Sequence, residues 1–235
     1  MIMNRRADEN DLAPDDAVGH GAQKFWREQN LRFVEPHYRL VKAVRIINKL
    51  ARGRECMLLD VGCGPATVGR LLPANIDYYG IDIAIQSPAS NLLEADLREA
   101  PIKFGDKRFD IVLAQGIFEY VGDTQSRKFA EIADILKGNG KFIVSYWNFG
   151  HRNPEMYHAF SNVQPLDEFK KDLKRYFKID KSFPASHNWR LTGPNRKITR
   201  AINMPMEVNI PFVSPILAVE YFFICSPYSG KARNS

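Results

Sequence analysis

Residues 57–67 read MLLDVGCGPAT, an apolar run that ends in Asp60 and is broken at once by Gly62 and Gly64. The apolar run is typical of a buried strand, and a helical pattern follows it from about residue 66. Glycine lets a ligand approach the backbone where a Cβ would collide, and the N-terminus of a helix has unpaired amide donors. The stretch therefore predicts a ligand-binding turn between a strand and a helix.

Short apolar strands alternate with helical patterns beyond this turn. We predict strands at about 56–61, 77–83, 91–95, 109–114 and 140–147, and helices at about 66–72, 125–137 and 165–176. This order indicates an α/β fold with a parallel sheet and crossover helices. FKIDKSF (177–183) and LAVEYFFIC (217–225) read as strands without a clear helix between them, which predicts an antiparallel pair at the end of the sheet.

The 235 residues, 45% hydrophobic and 26% charged, suit one globular domain. We expect a disordered tail at 1–20 and a single domain over 21–235, which includes an N-terminal cap at about 21–52. An extension at about 184–216 would connect the last two strands. No stretch resembles a membrane span or a signal peptide, so a cytoplasmic protein is expected.

The cysteines and the charge say little about partners. Cys56, Cys63 and Cys225 lie far apart outside any metal-binding motif, and we predict free thiols. The net charge of +6 is spread along the chain except in RLTGPNRKITR (190–200), which contains no acid. This basic stretch is either a solvated loop or a contact for an anionic substrate or surface.

The acids near the turn indicate what it binds. A dinucleotide-binding turn has the pattern GxGxxG, but Thr67 stands at the third glycine position, and Asp60 would repel a pyrophosphate. A cationic ligand without phosphates is favoured instead. Asp82 follows the turn by about twenty residues, where a carboxylate accepts hydrogen bonds from ribose hydroxyls. Asp96 ends the third strand and can reach an adenine amino group beside Leu97.

Four segments together resemble the class I S-adenosylmethionine-dependent methyltransferases: LLDVGCGPA (58–66), YYGIDIA (78–84), EADL (94–97) and FDIVLAQGIFEYV (109–121). The resemblance covers roughly 36–148. It implies the Rossmann-like methyltransferase fold: a seven-stranded, mostly parallel sheet with an antiparallel last strand and helices on both faces. NFGH (148–151) is similar to the MetW-like branch. Ala66 and Asn139 depart from the family pattern, which has a third glycine and a proline there.

The resemblance also implies S-adenosylmethionine as the cofactor and a set of residues that bind it. Asp60, Gly62, Cys63 and Gly64 would surround the methionine part, Asp82 and Ile83 the ribose, Asp96 and Leu97 the adenine, and Gln115 and Gly116 the reaction face. Tyr38, on a first long helix predicted from Pro36 to Ala51, would close over the methionine end.

The expected reaction is transfer of the methyl group to an oxygen or nitrogen atom of a small molecule by in-line displacement. AQGIF (114–118) replaces the [DN]PP[YF] motif of enzymes that methylate adenine bases or glutamine, and no acidic cluster suggests a metal. The candidate substrate pocket is aromatic and lies at the ends of strands four and five. It contains Tyr120, Tyr146, Trp147 and Asn148, with His151 as the candidate general base.

Three other functions are open. The basic stretch and the pI of about 9.2 allow an RNA methyltransferase, although the charge is low for phosphate-dominated binding. The MetW-like similarity allows a non-catalytic, cofactor-binding partner protein. A dehydrogenase is disfavoured by Asp60 and Thr67. Neither nucleic acid nor a membrane is the expected partner, and the sequence leaves the oligomeric state open.

Overall fold

The computed structural model describes residues 22–149, 163–192, 198–205 and 208–228. The helices are α1 (Ala22–Gln29), α2 (Tyr38–Ala51), α3 (Thr67–Leu71), α4 (Gln125–Ile135), α5 (Leu166–Tyr176) and α6 (Ser214–Leu217). Short 3-10 helices span Asn30–Phe33 and Gly122–Thr124. The strands are β1 (Cys56–Val61), β2 (Ile76–Asp82), β3 (Leu92–Glu94), β4 (Phe109–Gln115), β5 (Leu136–Trp147), β6 (Phe177–Thr192), β7 (Ile198–Pro205) and β8 (Ala218–Pro227). The predicted tail at 1–20 and His151 lie outside the described residues.

The strands form one sheet in the order β3-β2-β1-β4-β5-β8-β6-β7. The first five are parallel to their neighbours, and β8 runs antiparallel between β5 and β6. The predicted Rossmann-like methyltransferase fold with an antiparallel last strand is confirmed. An eighth strand, β7, extends the edge of the sheet by pairing with β6 inside the predicted extension.

The register brings the strand ends that carry the site to one edge. Asp60 pairs with Gly80, and Val61 lies between Ile81 on β2 and Ala114 on β4. Because parallel strands that are in register end at the same edge of a sheet, Asp82 and Gln115 follow directly beside the glycine turn. The topology therefore builds a cleft at the carboxyl edge of β1, β2 and β4.

Two hydrophobic cores hold the sheet between its helices. Leu59 and Val112 face α4 and α5 in a core rich in phenylalanine, and Leu58 and Leu113 face α2 and α3. Adjacent residues face opposite sides because side chains alternate along a strand. The strands of a parallel sheet that is covered on both faces read as continuous apolar runs, which explains the pattern of MLL and IVL in the sequence.

Candidate active site

A cavity of about 260 Å³ lies at the carboxyl edge of the sheet. Its floor is formed by the turn after β1 and by the ends of β2 and β4. Its roof is formed by α1, the first 3-10 helix and the first turn of α2, through residues such as Trp26, Asn30 and Leu40. The site is thus enclosed by the segment that precedes β1.

The glycine turn adopts a backbone conformation that suits glycine. Gly62 has φ of +77° and Gly64 has φ of +52°, a left-handed conformation that costs glycine little. The amides of Gly62 and Cys63 donate hydrogen bonds to the carbonyl of Ile81, at 2.7 and 3.2 Å. A Cβ at Gly62 would lie 2.8 Å from Ile117 Cδ1, so a larger residue would crowd the loop after β4. The turn is a tight cradle at the cavity floor.

Two buried carboxyl groups face this cradle. Asp60 is 3% exposed and accepts a hydrogen bond from the Tyr78 hydroxyl at 2.9 Å. Burial raises the pKa of Asp60 to about 7, and the charge of Asp82 adds to the shift. Asp82 accepts hydrogen bonds from the amides of Gly64 and Ala84 at 2.8 and 2.9 Å. Burial also raises the pKa of Asp82, against the effect of these bonds. The acids make this part of the cavity suited to a cation.

A third acid, Asp96, is engaged by Arg98. The Arg98 side chain approaches both carboxylate oxygens of Asp96, with Nε at 3.0 and 3.1 Å and Nη2 at 2.5 Å. Burial alone would raise the pKa of Asp96, but the hydrogen bonds and charge of Arg98 outweigh burial and lower it. Both residues line the cavity, so this part of its wall is an ion pair beside Leu97.

The end of β4 forms another wall of the cavity. The Gly116 amide donates to Ser145 Oγ at 3.0 Å, and Arg39 Nη2 lies 2.9 Å from the position of a Cβ on Gly116. Arg39 is held by Glu220, with Nη2 to Oε1 and Nε to Oε2 both at 2.7 Å. The side-chain amide of Gln115 is buried without a hydrogen-bond partner among the described residues. Burial of such an amide without a partner is costly.

His37 presents a neutral imidazole to the cavity. Its Nδ1 accepts a hydrogen bond from the Arg39 amide at 3.2 Å, as the N-cap of α2, so Nε2 is the nitrogen that carries the proton. Burial lowers the pKa of His37 to about 4, helped by the charge of Arg39. Near neutral pH His37 is therefore a hydrogen-bond donor and has no free nitrogen to accept a proton.

Glu119 is buried in the loop that follows β4. It is fully buried, and its Oε1 accepts the Trp147 amide at 2.9 Å. Burial raises the pKa of Glu119 to about 8, with a contribution from the charge of Glu220. Near neutral pH the carboxyl is thus mostly protonated. Glu119 fixes the backbone of Trp147, whose side chain lines the cavity.

Comparison with known proteins assigns this architecture. A family model described as a methyltransferase domain matches residues 59–144, the segment from β1 into β5. The chain carries a methyltransferase domain. A comparison with curated protein sequences gives no match.

Solved structures share the fold of this methyltransferase. The TehB-like SAM-dependent methyltransferase of Corynebacterium glutamicum is 15% identical, with 87% of this chain and 95% of that chain covered and a TM-score of 0.53. A chain from a complex that contains the Trm112 methyltransferase activator of Haloferax volcanii is 17% identical, with 94% and 100% covered and a TM-score of 0.59. The 1,6-didemethyltoxoflavin-N1-methyltransferase of Burkholderia thailandensis, which contains S-adenosylhomocysteine, is 13% identical, with 87% and 84% covered and a TM-score of 0.56.

The domain match and the fold confirm the predicted enzyme class, a class I S-adenosylmethionine-dependent methyltransferase, and with it the predicted cofactor. The cavity fits that cofactor by its own features. It has a glycine turn at its floor and buried acids beside that turn, which suit the ammonium group and the ribose hydroxyls of the cofactor.

The cavity of the methyltransferase brings most of the predicted site residues together. Those that line it are Asp60, Gly62, Cys63, Gly64, Asp82, Ile83, Asp96, Leu97, Gln115, Gly116 and Tyr120. Tyr38 is not among the lining residues, and its hydroxyl lies 3.0 Å from Ser186 Oγ. Arg39 lies about 100° around α2 from Tyr38, so Arg39 lines the cavity while Tyr38 faces β6. His37 precedes the helix as its N-cap and reaches the cavity from an extended backbone.

Two predicted substrate residues lie in the packed interior instead. Tyr146 is fully buried and stacks on Phe169 with ring centroids 3.9 Å apart. The side-chain Nδ2 of Asn148 donates to the carbonyls of Pro215 and Ala218 at 3.1 and 3.0 Å. Neither residue lines the described cavity, because alternation along β5 turns Trp147 toward it and Tyr146 away. The candidate base His151 lies outside the described residues.

The sequence prediction missed cavity residues that precede the family motifs. Asn30, Phe33, His37 and Arg39 all line the cavity. The stretch that contains them has no motif, and only its position before the first long helix predicts that it covers the site. The cysteines are free, as predicted, and all three are buried. In the described part of the chain no three metal-ligating side chains cluster, and no helix has the length and hydrophobicity for a bilayer crossing.

Proposed function

We propose that this methyltransferase transfers the methyl group of S-adenosylmethionine to an oxygen or nitrogen atom of a small molecule by in-line displacement. The observation that carries the proposal is the roof of the cavity. Trp26 on α1 packs edge-on against Tyr120 with ring centroids 4.8 Å apart, so aromatic side chains cover the site from above. A polynucleotide needs an open basic groove, whereas a small acceptor fits beneath such a roof.

The cofactor supplies an electrophilic methyl group on a sulfonium, so the chain chiefly has to bind, align and exclude water. In our proposal Gly62, Gly64 and Asp60 hold the methionine part, and Asp82 holds the ribose. Leu97, beside the Asp96–Arg98 ion pair, holds the adenine. The aromatic roof excludes water from the acceptor.

The described acidic and basic groups bear on the acceptor atom. His37 Nε2 already carries a proton, and Glu119 is mostly protonated near neutral pH. Neither is a ready proton acceptor, which favours an acceptor whose nucleophilic lone pair is available without prior deprotonation, such as a neutral nitrogen. For a hydroxyl acceptor His151 is the proposed base. A methyltransferase of this fold with a small-molecule nitrogen acceptor exists in Burkholderia thailandensis.

The test is methyl transfer from radiolabelled S-adenosylmethionine to three separate pools: low-molecular-mass metabolites, total RNA and total protein. We expect label in the metabolite pool. Asp82→Ala should abolish the labelling because it removes the carboxylate that binds the ribose. Asp77→Ala, an exposed acid at the other end of β2, should retain it. Label in nuclease-sensitive RNA would replace our proposal with an RNA methyltransferase. Binding of S-adenosylhomocysteine without transfer to any pool would favour the non-catalytic alternative.

A further inference from the structure

The roof of the cavity carries a polar residue that no family motif includes. Asn30 begins the first 3-10 helix and is only 4% exposed. Its side-chain Nδ2 donates to Asp82 Oδ1 at 3.1 Å and to the Ala84 carbonyl at 3.3 Å. Both amide protons of Asn30 are thus used to attach the roof to the end of β2.

The carbonyl oxygen of the same amide is available to a ligand. Asn30 Oδ1 accepts no hydrogen bond from the described residues, and it lies 3.5 Å from the position of a Cβ on Gly64. Asn30 also lines the cavity. A carbonyl oxygen that faces a cavity without a protein partner can accept a hydrogen bond from a ligand that fills the space.

A count of acceptor sites on Asp82 shows why such an oxygen matters. A carboxylate has about four lone-pair sites, two on each oxygen. Asp82 Oδ1 accepts from Asn30 Nδ2 and from the Ala84 amide, and Oδ2 accepts from the Gly64 amide. One site remains, on Oδ2. The two ribose hydroxyls of the cofactor have two protons to donate, so Asp82 can accept only one of them while Asn30 is in place.

We propose that Asn30 binds the cofactor ribose together with Asp82, one hydroxyl donating to Asp82 Oδ2 and the other to Asn30 Oδ1. This inference rests on the proposed binding of the ribose by Asp82. It makes the roof part of the binding site, because the ribose then bridges β2 and the segment before α2. The other roof contacts to this edge are exposed: Gln23 and Arg27 reach Glu94 at 2.6 and 3.2 Å.

The experiment is calorimetric titration of the full chain with S-adenosylhomocysteine and with its 2′-deoxy and 3′-deoxy analogues. Asn30→Ala should weaken binding of S-adenosylhomocysteine by about three- to tenfold, the loss of one hydrogen bond to a neutral partner. The same substitution should have little effect on one of the two deoxy analogues, which lacks the hydroxyl that Asn30 binds. Gln23→Ala is the matched control, because it removes a roof contact outside the cavity and should leave all three affinities unchanged.

Several outcomes would overturn the inference. Unchanged binding by Asn30→Ala would mean that Asn30 does not contribute to the ribose site. Tighter binding would mean that Asn30 competes with the ribose for Asp82. An equal loss for all three ligands would mean that Asn30 only holds the roof. If Asn30→Ala does not fold, Asn30→Ser, whose short side chain also removes the carbonyl oxygen, provides the same comparison. Unchanged affinity of Asp82→Asn for all three ligands would instead refute the proposed binding of the ribose by Asp82.

Discussion

At the scale of single residues, the protonation state of Asp60 links the cavity to its ligand. Its pKa of about 7 reflects burial, with a contribution from the charge of Asp82. A carboxyl group with a raised pKa is partly protonated near pH 7, whereas only its charged form pairs with an ammonium group. The ammonium of the cofactor should therefore lower the pKa of Asp60 and expel that proton.

We predict that S-adenosylhomocysteine binding releases up to about half a proton at pH 7, because Asp60 is about half protonated there. The sign follows from a pKa that is lower in the complex: affinity rises as the pH rises through about 7 and falls as the pH decreases. Calorimetry in two buffers of different ionisation enthalpy measures the proton count. Asp60→Asn should abolish the release, and proton uptake by the wild type would refute the role of Asp60.

At the scale of elements, a buried ion pair attaches the roof to the far side of the sheet. Arg39 is in the first turn of α2 and Glu220 is in β8, and their side chains are 17% and 2% exposed. Removal of one partner leaves an uncompensated buried charge, which costs much more than the loss of an exposed pair. The position of α2 over the cavity thus depends on a strand close to the opposite edge.

We predict that Arg39→Met lowers the free energy of unfolding by about 3 kcal/mol or more, because Glu220 then lacks its partner. The double variant Arg39→Met, Glu220→Leu should recover most of this loss. Arg127→Ala breaks an exposed pair with Glu131 and should cost about 1 kcal/mol at most. Urea denaturation measures all three values. An Arg39→Met cost no larger than that of Arg127→Ala would contradict the role of the pair.

The helices and strands also show which sequence signals were sufficient to predict the fold. Runs such as MLLDV and FDIVLAQ predict strands well because a parallel strand that is buried on both faces is apolar along its length. β7 was missed because Pro184, Pro194 and Pro205 suggested an irregular extension. The sequence could not show which of Tyr146 and Trp147 faces the cavity. Alternation along a strand places two neighbouring side chains on opposite faces of the sheet, but it does not say which face each one takes.

At the scale of the whole molecule, the floor of the site was predictable residue by residue, whereas the roof was predictable only as a segment. Asp60, Asp82 and Gln115 end strands that pair with one another, so topology alone brings them together. Asn30, His37 and Arg39 reach the cavity through a segment whose placement depends on long-range contacts such as Arg39 with Glu220. A single domain over 21–235 and a cytoplasmic location remain predictions from the sequence.

The central claim is that a nucleoside sulfonium binds across the carboxyl edge of β1 and β2. Titration of the folded chain with S-adenosylhomocysteine and, separately, with a nicotinamide dinucleotide tests it most directly. We predict one site for S-adenosylhomocysteine with Kd between about 1 μM and 1 mM, the range typical of KM values, and no saturable heat with the dinucleotide. Saturable binding of the dinucleotide, with none of S-adenosylhomocysteine, would contradict the account.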